Sequence, residues 1–449
     1  MSSNEPALAD RPGPSTASRV GRTLSTVYVA SGLSLGGGQI FTLLLFGLLT
    51  PRQVGLVNWA TAAATIVFYL FDLGIETSLV VQVKKVPTRL AEVVLVAGAL
   101  RLGVAMFAFI VWLAGVTLGF LKTDEASALI LIGLGFAIRS LQTPFTAHLQ
   151  VHNRQATVAI VSVIPVVVRL AGVGLLWLAH SVALTPILLL MLVGDAVGLV
   201  VLMEFARHQV LAGRGDAGGA TTLARGLVRS APTIMLSQAV LVGQNRIDWL
   251  LVAALISNGA LANYSIANKT LELLIIAGSM LGRTALPWMV EGWHSHAMPK
   301  TLRLLTVALI AGGLALAVAG PPILRFLFGH KYAGAEPIIA PMATLAPALA
   351  LYQVIQFVAF ARGRAWHVVL SGIIGLVAQV AVDLLLIPRL GITGAVIGMF
   401  AFAGVALPLQ LMFATRSQIM PTDRALEFAA GAAVLPVGFL IVTLMTHFR

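Results

Sequence analysis

Arg101, Arg139, Arg169, Arg246, Lys269 and Arg283 each stand deep inside a long apolar run. A charged side chain at the centre of a bilayer costs roughly 2.5–3.5 kcal/mol on insertion scales. Six of them would cost on the order of 15–20 kcal/mol, more than the net stability of an ordinary protein. These groups must therefore face acidic partners or a wet cavity. A wet cationic cavity inside a membrane suits an anionic passenger. Arginine serves well there, because its planar fork holds phosphate through paired hydrogen bonds.

The embedded acids are Asp72, Glu76, Asp195, Asp248, Glu272 and Asp383. Some of them pair with the bases, while Asp72, Glu76, Asp195, Asp248 and Glu272, with Asn58 and Gln142 beside them, could tune the charge of a cavity or bind a coupling cation, H+ or Na+. Spacing sorts them onto faces. Asn58, Thr61, Thr65, Tyr69, Asp72 and Glu76 recur at intervals of three and four. Arg139, Gln142, Thr143, Thr146 and Gln150 share a second stripe. Asn268, Lys269, Glu272, Ser279 and Arg283 share a third, where Lys269 can reach Glu272 at i,i+3. Gln244 and Asp248 align, while Arg246 points elsewhere. Arg101, Arg139 and Arg169 have no acid within local reach, so they are the first candidates for an anion, Arg139 and Arg169 ahead of the rest. Polar stripes of this kind are also the common glue between membrane helices, and an embedded arginine can be half of a structural ion pair.

The elements that must hold these residues are legible from composition. The 449 residues are 58% hydrophobic and 10% charged, with a mean hydropathy of +0.95. That excludes an ordinary soluble domain. A membrane helix needs about 20 apolar residues, and about thirteen such runs follow one another between Leu24 and Thr446. The alternating ten-residue strands of a membrane barrel are absent. The sequence predicts an all-α polytopic membrane protein. The expected division is a polar cytoplasmic tail over 1–23, a first six-helix lobe over 24–209, a Gly-rich inter-lobe loop over 210–226, a second six-helix lobe over 227–415, and a linker with an extra helix over 416–449. The extra helix looks like an appendage. Leu56–Thr65 and Leu261–Thr270 echo each other, as do Arg154–Trp177 and Arg364–Leu386. Both pairs keep one orientation, which predicts parallel repeats around a central cavity.

The net charge of +12 lies in short loops on one side. That is the positive-inside pattern, not a nucleic-acid surface, and it places the N-terminus in the cytoplasm. With no cysteine, disulfides and thiol chemistry are excluded. Gly32-Leu-Ser34-Leu-Gly36 matches a nucleophile pattern but lies within a helical run, so it reads as packing. His148 and His152 lack the glutamate of a zinc-protease helix. Loops this short leave no room for a soluble catalytic domain, and no enzyme is expected. Intramembrane Pro144, Pro165, Pro232, Pro287, Pro341, Pro347, Pro408 and Pro436 mark bends or hinges.

Four stretches carry a family resemblance. Thr50–Glu76 has a Pro-x-x-x-Gly turn, then Asn58, then Asp72-Leu-Gly74-Ile. Asp248–Pro287 contains Gly259-x-x-x-Asn263-Tyr264-x-x-Ala267 and ends on Leu286-Pro287. Phe326–Ala335 reads Phe-x-x-Gly-x-x-Tyr-x-x-Ala. Asp383–Gly398 reads DLLLIPRLGITGAVIG, where the family often has Asn at the first position. In order and spacing these resemble the polysaccharide flippases of the MOP (multidrug/oligosaccharidyl-lipid/polysaccharide) superfamily, relatives of the MATE transporters. The thirteenth helix departs from the commonest twelve-helix plan. The resemblance implies two six-helix lobes around a central cavity open to one side at a time. It implies passage of a polyprenyl-diphosphate-linked oligosaccharide to the outer leaflet of a bacterial inner membrane, with membrane lipids and glycan polymerase or glycosyltransferases as partners. Two rivals stay open: a MATE-like cation-coupled drug antiporter, and a non-transporting component of glycan assembly.

Overall fold

The computed structural model describes residues 14–71, 90–119, 125–151, 154–212, 236, 239–240, 242–291, 297–361, 364–417 and 422–447. Among them the chain is helical throughout. Helix α1 spans Pro14–Leu48, α2 Pro51–Leu70, α3 Leu90–Thr117, α4 Ala126–Val151, α5 Gln155–Leu178 and α6 Leu184–Ala212. Helix α7 covers 242–255 and α8 Asn258–Glu291. Then come α9 Ala297–Phe328, α10 Glu336–Thr344, α11 Ala346–Ala361, α12 Ala365–Leu390, α13 Ile392–Arg416 and α14 Thr422–His447. Eight helices among the described residues are long and apolar enough to cross a membrane. A ninth span is broken. The run expected as one helix over 337–361 bends by 49° between α10 and α11. Pro341 lies inside α10 and Pro347 is the second residue of α11. Each lacks the N–H that would continue the ladder.

Local chemistry sets the helix ends. Thr50 caps α2 with a reciprocal box: its hydroxyl accepts from Gln53 N at 3.3 Å, and Gln53 Oε1 accepts from Thr50 N at 3.1 Å. Pro51 follows at the first helical position, where its missing N–H is harmless. Gly391 joins α12 to α13 at φ +62°, a conformation that favours glycine. Helix α1 begins at Pro14, well ahead of Leu24, so part of the segment expected as a tail is helical.

The chain divides into two compact units. The first is Met1–Leu43, Ile75–Gly103 and Ile138–Leu227; the second is Leu44–Gly74, Val104–Ala137 and Val228–Arg449. In the first, α5 packs against α6 and Ser34 of α1 donates to Ser162 O at 3.0 Å. An apolar groove of about 630 Å³ runs between α1 and α5, with Val29, Leu33, Ile160, Ile164 and Val167 among its walls. Among the described residues no charged side chain lines it.

In the second unit, α12 and α13 form a hairpin and α8 packs against α2 and α11. The expected appendage is part of this unit. Helix α14 packs on α9, α10, α11 and α13, burying Ala425, Ala432 and Leu435, and Arg303 pairs with Glu427. Outward faces are apolar, as lipid requires: Val318 is 78% and Phe326 89% exposed.

Candidate functional site

The first unit gathers three charged residues from three helices. Asp195 of α6 is buried. Its Oδ2 accepts from Arg139 Nε of α4 at 2.9 Å, and its Oδ1 accepts from an Arg169 terminal nitrogen of α5. Gln142, one turn beyond Arg139, donates its amide to the backbone oxygen of Asp195 at 2.8 Å. Two guanidiniums thus share one carboxylate, and the three groups together are net positive. The Arg169 side chain is 15% exposed and that of Arg139 37%, so Arg139 is the more open edge of the cluster. Arg169 Nε is buried and has no hydrogen-bond partner among the described residues. Arg169 also lies 5.9 Å from the Phe41 ring. The sequence showed no local acid for these arginines; the structure supplies one from 56 and 26 residues away.

Small residues make this crossing possible. A Cβ on Gly194 would come within 3.1 Å of Arg169 Cγ and Nε and of Pro165 O; one on Gly198 would meet Pro165 Cγ at 2.8 Å and Gln142 Nε2 at 3.2 Å. Gly194 and Gly198 form a small-x-x-x-small face, the usual device for close helix approach in membranes. Arg101 of α3 is buried beside this arrangement. It donates to Ser140 O at 2.9 Å and to Thr143 Oγ1 at 3.4 Å, so it ties α3 to α4. Thr146 of the same stripe bonds back to Gln142 O at 3.0 Å.

The second unit repeats the charge ratio with different residues. Glu272 of α8 takes Lys269 Nζ at 2.5 Å and Arg246 of α7 at 3.5 Å. The pair expected from i,i+3 spacing is present, and Arg246 joins it. Arg246 lies 4.4 Å over the Trp249 ring, with Lys269 at 5.9 Å, so the buried indole holds both cations by its π face. Asn58 of α2 donates to Ser265 of α8 at 2.7 Å, which is helix glue of the ordinary kind.

Asp248 and Gln244 point into the same unit, as their spacing predicts, and both are buried. Asp248 accepts from Trp249 N at 2.9 Å and from the Tyr264 hydroxyl. Asp383 of α12 lies within electrostatic reach of Asp248. It is fully buried, and among the described residues neither of its carboxylate oxygens has a hydrogen-bond partner. Gln379, one turn before, is also buried with both amide atoms unsatisfied. The sequence named Asp383 only as an embedded acid and a motif position; its signal was a lone acid four residues from a buried glutamine. Asp72 and Glu76 lie outside the described residues, as does the side chain of Arg283 on α8.

Comparison with known proteins agrees with this architecture. The profile of a family described as "Polysaccharide biosynthesis protein" matches residues 24–293. Among solved structures, the chain is similar to the lipid II flippase MurJ in an inward closed conformation, with a TM-score of 0.68 at 12% identity over 93% of this chain and 92% of that one. It is also similar to an inward-facing multidrug resistance MATE family transporter of the MOP superfamily, with a TM-score of 0.66 at 15% identity over 88% and 96%. A mutant of the Vibrio cholerae MATE transporter VcmN gives 0.66 at 13% identity over 90% and 98%. At these identities the likeness is one of fold. No curated protein matches the chain.

Proposed function

The chain belongs to the polysaccharide biosynthesis protein family, and from that premise we propose that it is a flippase for a lipid-linked glycan. It carries a polyprenyl-diphosphate-linked oligosaccharide from the cytoplasmic to the outer leaflet of a bacterial inner membrane by alternating access, with its N-terminus in the cytoplasm. Glycosyltransferases supply the passenger, and a polymerase or transferase outside consumes it.

The observation that carries the reading is the Arg139–Asp195–Arg169 cluster, two guanidiniums converging on one buried carboxylate inside an apolar bundle. A guanidinium pair offers forked donors to phosphate oxygens, and such charge-assisted hydrogen bonds contribute roughly 1.5–3 kcal/mol each. A drug antiporter handling cations would call for the opposite excess. Glu272 likewise faces two cations. Arg101 would add to the field in the first unit, where Gln142 fixes the helices that present it; Arg246, Lys269 and Arg283 are further cationic candidates in the second unit, whose helices Asn58 helps to fix. Asp248 and Asp383 supply what ion coupling needs: carboxylates out of water that call for a proton or a cation to balance them.

The test is reconstitution of the purified protein in vesicles with a fluorescent polyprenyl-diphosphate oligosaccharide, scored for transbilayer movement. Movement should depend on the protein and fall at least tenfold in the Arg139→Ala/Arg169→Ala double variant, while folding survives. Unchanged movement in that variant would sink the reading.

A further inference from the structure

Asp195 does more than neutralise. We infer that its carboxylate is an exchangeable stand-in for the passenger's phosphate: it occupies the arginine fork when the site is empty and yields it when the anion arrives. The inference rests on the flippase reading and concerns how that site lets go of its load.

The geometry favours exchange over a permanent strut. A strut would satisfy its partners, yet Arg169 Nε is buried with no acceptor. An orphaned charged donor of this kind destabilises the site as it stands. One carboxylate offers two oxygens, and both are already taken, one by each arginine. A phosphate group has three acceptor oxygens and at least as much charge. It can therefore serve both arginines and the orphaned Nε together. The backbone at Asp195 is held independently by the Gln142 amide. The side chain can swing away without unseating α6. Gly194 beside it presents no side chain to the Arg169 guanidinium. Arg139, at 37% exposure, is the edge by which the anion enters.

The consequence is a site tuned for release. Two arginines relieved of Asp195 would hold a diphosphate more tightly and turn over more slowly. An internal competitor weakens the hold and refills the fork as the passenger leaves, so the arginines are never left bare in the membrane. Transport needs binding strong enough to load and weak enough to unload.

Farnesyl diphosphate is a suitable probe, with farnesol and inorganic pyrophosphate as the other arms, titrated calorimetrically into the detergent-solubilised protein. Asp195→Asn should bind farnesyl diphosphate on the order of tenfold more tightly than wild type, or more. Its melting point should be lower than wild type without ligand and rise further on adding it. In vesicles it should flip the glycan more slowly. If the variant is recovered only in the presence of pyrophosphate, exchange is supported directly. Should it not be recovered at all, Arg139→Gln can be compared with Arg139→Gln/Asp195→Asn. The first keeps one arginine against one acid, and the second should again bind more tightly. Binding that is unchanged or weaker on loss of Asp195, in either background, overturns the inference. Wild type that prefers farnesyl diphosphate no more than farnesol instead overturns the flippase reading.

Discussion

Gly194 and Arg169 meet so closely that a Cβ at position 194 would lie 3.1 Å from Arg169 Nε and from Pro165 O. The side chain can give by a few tenths of an ångström, but the backbone oxygen of Pro165 cannot easily do so. Gly194→Ala should therefore push α6 off α5, at a cost of about 1–3 kcal/mol for overpacking, and draw Asp195 away from the fork. We expect an inserted protein with a lower melting point and impaired glycan export. Gly174→Ala is the control, since nothing lies within 4 Å of its Cβ position; export there should be unchanged.

A tighter contact is buried in the second unit. A Cβ on Gly55 would fall 1.6 Å from Asn258 O, where α2 meets the start of α8. Backbone against backbone cannot yield. Gly55→Ala should abolish accumulation of folded protein, read by fluorescence-detected size exclusion of a tagged chain. A folded, monodisperse Gly55→Ala protein would contradict this packing.

These positions show what could be read from sequence and what could not. The Pro-x-x-x-Gly pattern was visible as a motif, and the structure gives its cause: Pro51 starts α2 and Gly55 admits the α8 backbone. Lys269 and Glu272 were legible because three residues on one helix fix their separation. Arg139 and Asp195 were not, because 56 residues and two helix crossings intervene, and a hydropathy pattern carries no information on which helices cross. The Ser265 partner of Asn58, 207 residues away, was hidden for the same reason. The break at Leu345 was half legible. Pro341 and Pro347 were marked as bends, yet hydropathy over 337–361 is continuous and reads as one span.

Lys331 holds the end of α1. Its ammonium donates to Phe46 O at 2.7 Å and Gly47 O at 2.8 Å, and the Tyr332 hydroxyl adds a third bond to Phe46 O. These are carbonyls a helix C-terminus leaves unpaired. Lys331→Met should destabilise the protein by roughly 1–2 kcal/mol. Burial holds the Lys331 ammonium below the usual lysine range. The unfolded chain therefore keeps this proton to higher pH than the folded one, and between the two pKa values stability rises with pH. The melting-point gap between wild type and Lys331→Met should widen as pH climbs toward about 10.4. A gap that narrows would contradict this assignment.

Glu272 serves two cations, so its loss and the loss of either cation are unequal events. Glu272→Gln leaves Lys269 and Arg246 facing each other across Trp249 without a counter-charge. With Glu272 and Arg246 about a quarter exposed, breaking the pair this way should cost less than the about 3–5 kcal/mol of a fully buried one. Lys269→Met keeps Arg246 on the carboxylate and should cost far less. The double variant Lys269→Met/Glu272→Gln, with one cation left on the indole, should recover stability relative to Glu272→Gln alone. A double-mutant cycle on thermal unfolding measures the coupling; additive losses would mean that the three groups do not act as one cluster.

Asp383 poses the sharpest separation of stability from function. A fully buried carboxylate without a hydrogen bond is a burden on the fold unless a proton or cation accompanies it. Asp383→Asn removes the charge while keeping the shape. The side chain sits against Gly398, where a Cβ would come 1.9 Å from Oδ1, so an isosteric replacement is the only fair one. If Asp383 served packing alone, the amide would be neutral or stabilising and transport would be untouched. If it balances a coupling ion together with Asp248, Asp383→Asn should melt at or above the wild-type temperature. Its flipping in vesicles should then no longer respond to an imposed H+ or Na+ gradient. Asp248→Asn, whose carboxylate already accepts from Tyr264 and Trp249 N, should lose stability as well as coupling. Gradient-dependent flipping that persists in Asp383→Asn would remove this residue from any role in coupling.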